Sequence, residues 1–200
     1  MVQRIGILLA GGESRRFGQP KAFALFKNKP FYAYVFEALR PFMDKLIVVS
    51  HPTLVDRFLE DPRLQVISDD DRYIGKGPLA GLYTVMAQEE ADEFFLFPCD
   101  TPLVNSDLVQ WLINLGETHP YSNGIVPVVG RRLQPLFGLY RKDCFPYLEN
   151  FLQSNLLKVK ALIDQANLLK VPADDLPASL FVNVNTQDEL KAIESQMTSD

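Results

Sequence analysis

The chain has 200 residues, of which 47% are hydrophobic and 22% are charged, as is typical of a globular domain. Its net charge of −5 argues against general affinity for nucleic acid, because such affinity favours a basic face. Two cysteines are too few for a disulfide scaffold, and they are not spaced as metal ligands. We expect one domain over residues 1–200, with reduced thiols in the cytoplasm.

The apolar run nearest the N-terminus, at residues 5–10, is too short for the core of a secretory signal. No apolar run in the sequence approaches the ~20 residues that a membrane helix requires. We therefore expect neither export nor association with a membrane.

Short apolar runs alternate with amphipathic segments through the first half of the chain, which is the pattern of a parallel sheet covered by helices. Strands are predicted at residues 5–10, 46–49, 64–67, 94–97, 125–129 and 136–140, the last of which can run antiparallel. Helices are predicted to begin at Pro30, Leu54, Pro78 and Asn105 or Ser106, to cover residues 142–166, and to follow Thr186. We predict a single Rossmann-like three-layer α/β/α domain with a mostly parallel sheet.

The loop after the first predicted strand combines two adjacent glycines, Gly11 and Gly12, with three cations, Arg15, Arg16 and Lys21. Glycine allows a sharp turn and a close approach of the backbone, so N–H groups and fixed positive charge can face one phosphate chain. A solvated basic turn after a strand is the alternative interpretation. The combination predicts a loop that binds a nucleoside triphosphate.

Two better-known phosphate-binding loops do not fit this chain. A Walker-type loop requires Gly-Lys followed by Ser or Thr, whereas Gly75-Lys76 is followed by Gly77. A dinucleotide fingerprint requires Gly-x-Gly-x-x-Gly and an acidic residue near the end of the second strand. Here the glycines are adjacent and that predicted strand ends in Ser50-His51.

The segment from Leu9 to Lys21 resembles the Leu-Ala-Gly-Gly-x-Ser-x-Arg-Met-Gly-x-x-Lys signature of nucleotidylyltransferases, and most closely that of the MobA-like molybdenum cofactor guanylyltransferases. Residues 77–81, 98–102 and 181–186 match three further motifs in the family's order. The resemblance implies a fold of the nucleotide-diphospho-sugar transferase type. It also implies Mg²⁺-dependent transfer of GMP from GTP to the phosphate of molybdopterin, with release of pyrophosphate.

Nucleotidyl transfer is an in-line displacement at the α-phosphorus, so the protein must align the reactants and neutralise the charge of the leaving group. The resemblance implies that Lys21 and Arg16 contact the triphosphate and that Asp100 binds Mg²⁺. Asp100 follows a predicted strand, where open α/β sheets place ligands, and Mg²⁺ is usually held by one or two carboxylates together with phosphate oxygens and water. A turn-capping role for Asp100 between two prolines is the alternative.

The resemblance implies that the nucleotide contacts Leu9, Ala10, Gly11, Gly12, Ser50 and Asp69. Gly11 lacks a Cβ and leaves room for a purine beside the chain. Asp69 directly follows a predicted strand, but its loop is one residue longer than in the relatives, so Asp70 is a second candidate. Ser50 stands where the family often has Asn, and its hydroxyl can still form a hydrogen bond.

The resemblance also implies that Gly81, Asn183 and Asn185 lie on the side of the acceptor, where amides suit a ligand with many donors and acceptors. Turn and helix-capping roles for the two asparagines are the alternative. At residues 154–159, where relatives often carry a glycine and a basic pair, only Lys158 remains.

Two alternatives to a guanylyltransferase remain open. One is a CTP-dependent or other nucleotidylyltransferase that acts on a related phosphorylated acceptor, and the other is a non-catalytic module that binds a nucleotide or a cofactor. The presence of both Asp100 and Lys21 favours an enzyme. Cys99 is expected to be a packing residue, because neither His51 nor His119 is its neighbour in sequence.

The expected partners are GTP and molybdopterin as small-molecule substrates. Transient contacts with proteins of molybdenum cofactor biosynthesis, or with the proteins that accept the cofactor, are also expected. Nucleic acid and membranes are not expected partners.

Overall fold

The computed structural model describes residues 2–12 and 17–197 of the chain. Within this part, eight strands form a central sheet and two more form a separate hairpin. In chain order the strands are β1 (Arg4–Ala10), β2 (Leu25–Phe26), β3 (Lys29–Pro30), β4 (Lys45–Ser50), β5 (Gln65–Ser68), β6 (Glu93–Pro98), β7 (Gly124–Val129), β8 (Arg132–Leu133), β9 (Gly138–Arg141) and β10 (Leu169–Pro172).

The helices that surround the sheet are α1 (Phe31–Leu39), α2 (Val55–Leu59), α3 (Pro78–Gln88), α4 (Ser106–Thr118), α5 (Phe145–Gln153), α6 (Val159–Gln165) and α7 (Gln187–Met197). Short 3₁₀ turns lie at Lys21–Phe23, Pro52–Leu54, Asp71–Tyr73, Lys142–Cys144 and Ala178–Phe181. Within residues 2–12 and 17–197, every helix is too short or too polar to span a bilayer.

The central sheet has the order β10-β7-β9-β6-β1-β4-β5, with β8 paired to β7. Strand β1 pairs in parallel with β4 on one side and with β6 on the other, and β4 pairs in parallel with β5. Strand β9 runs antiparallel to β6 and β7. The chain leaves β1 towards β4 and β5 and then returns to the other side of β1 as β6. This reversal opens a crevice at the carboxyl ends of β1 and β6.

Two apolar cores fill the space between the sheet and the helices on its two faces. Leu8 and Ala10 of β1 belong to the core that includes α1 and α4, whereas Ile5 and Ile7 belong to the core that includes α3, α5 and α6. This division follows from the pleat, which directs alternate side chains of a strand to opposite faces. Burial of each large apolar side chain stabilises the fold by about 1.5–3 kcal/mol. The predicted three-layer α/β/α fold with a mostly parallel sheet is confirmed.

The structure differs from the sequence prediction mainly in the second half of the chain. Strand β9 begins at Gly138 rather than at residue 136, because the Phe137 N–H donates to the Gln134 carbonyl in a turn (3.0 Å). The sequence pattern does not predict β8, β10 or the β2-β3 hairpin, since strands of two or four residues are too short to show a clear hydrophobic period. Residues 142–166 are mainly helical, but a turn at Asn155, with a positive φ of 54°, separates α5 from α6.

A buried ion-pair network lies at the amino ends of β1 and β6, opposite to the crevice at their carboxyl ends. Glu93 at the start of β6 is 4% exposed. Its carboxylate accepts hydrogen bonds from Arg4 Nε at 3.1 Å and from Arg141 Nη2 at 2.9 Å. Arg141 also donates to the Gly116 carbonyl of α4 at 2.8 Å. The network therefore joins β1, β6, β9 and α4 through one carboxylate.

Replacing Glu93 by Gln should destabilise the fold by about 3 kcal/mol, because the largely buried Arg141 guanidinium loses its counterion and Arg4 keeps only its ion pair with Glu117. Glu90→Gln is the matched control, since the Glu90 side chain is 95% exposed and lies 3.6 Å from Lys142. That control should change stability by less than about 0.5 kcal/mol. Urea unfolding of both variants and the wild type measures the effect, and equal midpoints for the two variants would contradict it.

Candidate active site

A cleft of about 470 Å³ lies at the carboxyl ends of β1, β4 and β6. Its size and position are those of a small-molecule site in an open α/β sheet. The residues that line it come from the ends of these strands, from the 3₁₀ turn at Lys21–Phe23, from the loop between β5 and α3, and from two later loops. They include Leu9, Ala10, Gly11, Gly12, Pro20, Lys21, Val49, His51, Leu54, Asp69, Ile74, Gly75, Gly77, Gly81, Pro98, Cys99, Asp100, Leu136 and Asn183.

Lys21 and Asp100 form an ion pair within this cleft, in which Lys21 Nζ donates to Asp100 Oδ2. Lys21 Nζ also donates to Asn185 Oδ1 at 3.0 Å. Asp100 is 8% exposed, and its backbone carbonyl accepts a hydrogen bond from the Val184 N–H at 2.9 Å. Three predicted site residues that are far apart in sequence therefore meet in one cluster.

The segment before α7 orients Asn185. The Asn185 N–H donates to Glu189 Oε2 at 2.6 Å, and the Asn185 side-chain amide donates to the Asn183 carbonyl at 3.3 Å. The Glu189 N–H donates to Thr186 Oγ1 at 3.2 Å. Thr186 thus caps the helix as in a capping box, but the Glu189 carboxylate binds the residue before the cap. The cap and the Lys21 contact share one short segment.

The two adjacent aspartates after β5 face different surroundings. Asp69 lines the cleft, where burial raises the pKa of its carboxyl, opposed by a hydrogen bond from the Gly75 N–H and by the nearby charge of His51. Asp70 instead accepts hydrogen bonds from Arg72 Nε and Nη2, both at 2.9 Å, and this guanidinium lowers the pKa of the Asp70 carboxyl. Asp69 is therefore the aspartate available to a ligand in the cleft.

Glycines at two walls of the cleft have different structural effects. A Cβ added to Gly81 in α3 would lie 2.6 Å from Leu9 Cδ2, so the absence of a side chain lets the helix approach β1. Among the described residues, a Cβ on Gly11 would meet only the His51 backbone N at 3.9 Å, and one on Gly12 would meet nothing within 4 Å. The described residues therefore leave space where side chains at positions 11 and 12 would otherwise stand.

Some predicted site residues have other surroundings or lie outside the described residues. Ser50 is 2% exposed and its hydroxyl donates to the His51 carbonyl at 3.2 Å, whereas the neighbouring His51 lines the cleft. Lys158 is exposed at the start of α6. Arg15 and Arg16 lie outside the residues that the structure describes.

The sequence interpretation assigns no site role to His51, although His51 directly follows a predicted buried strand. In an open parallel sheet, ligands bind outside the carboxyl ends of the strands, so the position of His51 in the sequence could have indicated a site residue. Cys99, by contrast, is buried in an apolar core, and burial raises the pKa of its thiol. A protonated, buried thiol packs rather than attacks a substrate.

Asp100 is the carboxylate in this cluster that suits a hard divalent cation. Among residues 2–12 and 17–197, no three His, Cys, Asp or Glu side chains converge on one point that could hold a metal ion. Mg²⁺ does not require such a cage, because one or two carboxylates with phosphate oxygens and water are sufficient. Asp100 also already pairs with a cation, the Lys21 ammonium. The donor set therefore fits a metal that binds together with a nucleotide.

The chain is similar over most of its length to known proteins. The family model of the MobA-like NTP transferase domain matches residues 6–169. A protein of Halalkalibacterium halodurans named "Probable molybdenum cofactor guanylyltransferase" is 37% identical over 191 residues, which cover 94% of this chain and 96% of that protein. A protein of Bacillus licheniformis with the same name is 38% identical over 195 residues, which cover 96% and 97% of the two chains.

Two solved structures show the same fold at lower identity. Molybdopterin-guanine dinucleotide biosynthesis protein A from Archaeoglobus fulgidus superposes with a TM-score of 0.82 at 21% identity, covering 98% of this chain and 100% of that one. Bifunctional IspDF from Campylobacter jejuni superposes with a TM-score of 0.73 at 16% identity, covering 94% of this chain and 53% of that one. The family model and the curated relatives together cover nearly the whole chain, and the chain therefore belongs to the MobA-like NTP transferase family of nucleotidyltransferases.

Proposed function

We propose that this nucleotidyltransferase transfers GMP from GTP to the phosphate of molybdopterin, forming the dinucleotide cofactor and releasing pyrophosphate, with Mg²⁺ as cofactor. The observation that carries the proposal is the cluster of Lys21, Asp100 and Asn185 in the cleft at the ends of β1 and β6. The names of the curated relatives support this choice of substrates. Location in the cytoplasm and transient contacts with other proteins of cofactor biosynthesis belong to the same proposal.

Lys21 is the group that neutralises charge on the leaving pyrophosphate. In the displacement, the phosphate of the acceptor attacks the α-phosphorus, and the bond from the α-phosphorus to the bridging oxygen breaks with its electrons passing to pyrophosphate. A fixed ammonium beside that oxygen stabilises the transition state more than the ground state. Asp100 and Asn185 hold the ammonium in place before the substrate binds. Arg16 shares this role by its match to the signature arginine.

Asp100 would hold Mg²⁺ together with oxygens of the triphosphate and water. The metal, when bound, supplies positive charge to the phosphates and helps to align the α-phosphate. The protein's own contribution is to place one carboxylate at the cleft and to keep it oriented through its backbone bond to Val184.

The nucleotide base is proposed to lie against the backbone of β1 and the glycine loop, at Leu9, Ala10, Gly11 and Gly12. These residues line the cleft, and the open space beside the glycines supports a purine there. Asp69 is the acidic contact, because it faces the cleft while Arg72 engages Asp70. A direct contact from the buried hydroxyl of Ser50 stays a prediction.

The acceptor is proposed to bind on the side of the cleft that includes Gly81, Asn183 and Asn185. Asn183 lines the cleft, and Asn185 reaches it through Lys21. Leu136 adds an apolar wall on which the ring system of a pterin can rest. The reacting groups of the donor and the acceptor would then meet near Lys21 and Asp100.

GTP with Mg²⁺ should raise the unfolding temperature of the protein, whereas CTP, ATP and UTP should not. At about 100 times its dissociation constant a ligand stabilises by roughly 2.7 kcal/mol. For a chain of this size the shift corresponds to about 5–10 °C. Thermal unfolding with each nucleotide measures it. A shift with CTP alone would instead identify a cytidylyltransferase.

Asp100→Asn should lower kcat for pyrophosphate release by about 10³-fold or more, which corresponds to ~4 kcal/mol of transition-state stabilisation. Its affinity for GTP in EDTA should equal or exceed that of the wild type, because a carboxylate that repels the triphosphate is gone. Asp107→Asn is the matched control, since Asp107 is exposed in the first turn of α4. Full turnover by Asp100→Asn would refute the assignment of the metal ligand.

Asp69→Asn should weaken GTP binding by about 10-fold, whereas Asp70→Asn should leave it within about twofold, because removal of a charge-assisted hydrogen bond costs about 1.5–3 kcal/mol. Calorimetric titration of GTP into both variants measures the difference. Since burial raises the pKa of Asp69, its carboxylate is protonated as the pH falls through that raised pKa, and the advantage of wild type over Asp69→Asn should then be lost. The reverse order of the two variants would identify Asp70 as the contact.

A further inference from the structure

His51 occupies a position in the cleft to which the proposed reaction assigns no role. It directly follows β4, whose last residue, Ser50, is the register partner of Ala10 at the end of β1. The His51 backbone N lies 3.9 Å from the point that a Cβ on Gly11 would occupy. His51 therefore lines the cleft next to the stretch of backbone against which the base is proposed to lie.

Hydrogen bonds determine which nitrogen of the His51 ring carries the proton. The Thr53 N–H donates to His51 Nδ1 at 3.3 Å, and Thr53 Oγ1 lies 2.9 Å from the same nitrogen. A backbone N–H can only donate, so Nδ1 is the acceptor and the proton of the neutral ring is on Nε2. Within residues 2–12 and 17–197, Nε2 has no hydrogen-bond partner. The ring of this cleft-lining residue thus carries an N–H donor that the described residues do not engage.

Hydrogen bonds hold both the backbone and the ring of His51. The His51 carbonyl accepts hydrogen bonds from the Leu54 N–H at 2.9 Å and from the Ser50 hydroxyl at 3.2 Å. Together with the Thr53 contact, these bonds attach His51 to the end of β4 and to the 3₁₀ turn at Pro52–Leu54. A donor fixed in this way loses little conformational entropy when a ligand binds.

Asp69 supplies the complementary acceptor in the same cleft. It lines the cleft with His51, and the two side chains are close enough to interact electrostatically. Guanine presents the acceptor O6 beside the donors N1–H and the N2 amino group, whereas adenine presents an amino donor at the position of O6. One N–H donor and one carboxylate acceptor therefore match guanine and mismatch adenine.

We propose that His51 is a specificity-determining residue, whose Nε2–H donates to O6 of guanine while Asp69 accepts from the N1–H and the N2 amino group. The inference rests on the proposed use of GTP. It adds the reason for the choice of base, because adenine would leave the Nε2–H facing another donor. A donor that a bound base shields from water but leaves without an acceptor is costly, so such a site rejects the wrong base.

The test measures dissociation constants by calorimetry for GTP and for 6-thio-GTP, which keeps N1–H and the amino group but replaces O6 by sulfur, a weak acceptor. The wild type should bind GTP about 10-fold more tightly than 6-thio-GTP. In His51→Ala this ratio should fall to about one, and His51→Gln, which retains an N–H donor, should keep part of it. His119→Ala, which changes the chain's other histidine, should retain the full ratio.

An unchanged ratio in His51→Ala would overturn the proposal. The same titrations with 7-deaza-GTP test the neighbouring acceptor N7, and a loss of affinity that depends on His51 for this analogue, rather than for 6-thio-GTP, would overturn the assignment to O6. If the wild type itself fails to bind GTP, the proposed donor substrate is wrong, and the wild-type titration alone reveals this. Because His51 is exposed, its variants should fold as the wild type does. Equal unfolding temperatures of the variants and the wild type would confirm that a changed ratio does not come from misfolding.

Discussion

The parallel pairing of β1 with both β4 and β6 is the constraint on which the site depends. It brings three strand ends to one edge of the sheet, so the loops that follow them must share the same space. The glycine loop after Ala10 and the turn that carries Asp100 therefore lie side by side, although some 90 residues separate them in sequence. The Cys99 N–H confirms this proximity, since it donates to the Leu9 carbonyl at 3.0 Å.

Opposite charge then completes the cleft within an acidic chain. Lys21 faces Asp100 and Asn185, so a cation is held where the net charge of −5 alone would repel a triphosphate. Asn185 lies in a segment that follows residues 6–169, the part of the chain that the family model matches. The C-terminal segment is nevertheless joined to the site, because Val184 bonds the backbone of Asp100. The cleft is thus built from segments near both ends of the chain.

On the other side of the cleft, the surroundings of each side chain decide which residues a ligand can reach. Asp69 and Asp70 are chemically identical, but Arg72 engages one of them and leaves the other to the cleft. His51 has its Nδ1 engaged by Thr53, and among residues 2–12 and 17–197 its Nε2–H has no partner. The proposed recognition of guanine follows from the surroundings of Asp69 and His51. The proposed transfer of the nucleotidyl group follows instead from Lys21 and Asp100.

Local patterns in the sequence were sufficient to predict the layers, most of the longer strands, and the helices that begin at Pro78 and after Asn105. Hydrophobic periodicity and capping residues determine secondary structure through neighbours only a few positions away, so the sequence contains this information locally. The family motifs also indicated Lys21 and Asp100. Sequence could not show that Asp69 rather than Asp70 faces the cleft, or that His51 rather than Ser50 does, because neighbouring residues at a strand end differ only in direction. Nor could it show that Asn185 meets Lys21. Tertiary structure decided these points, since side-chain direction and contacts between distant segments depend on how the strands pair.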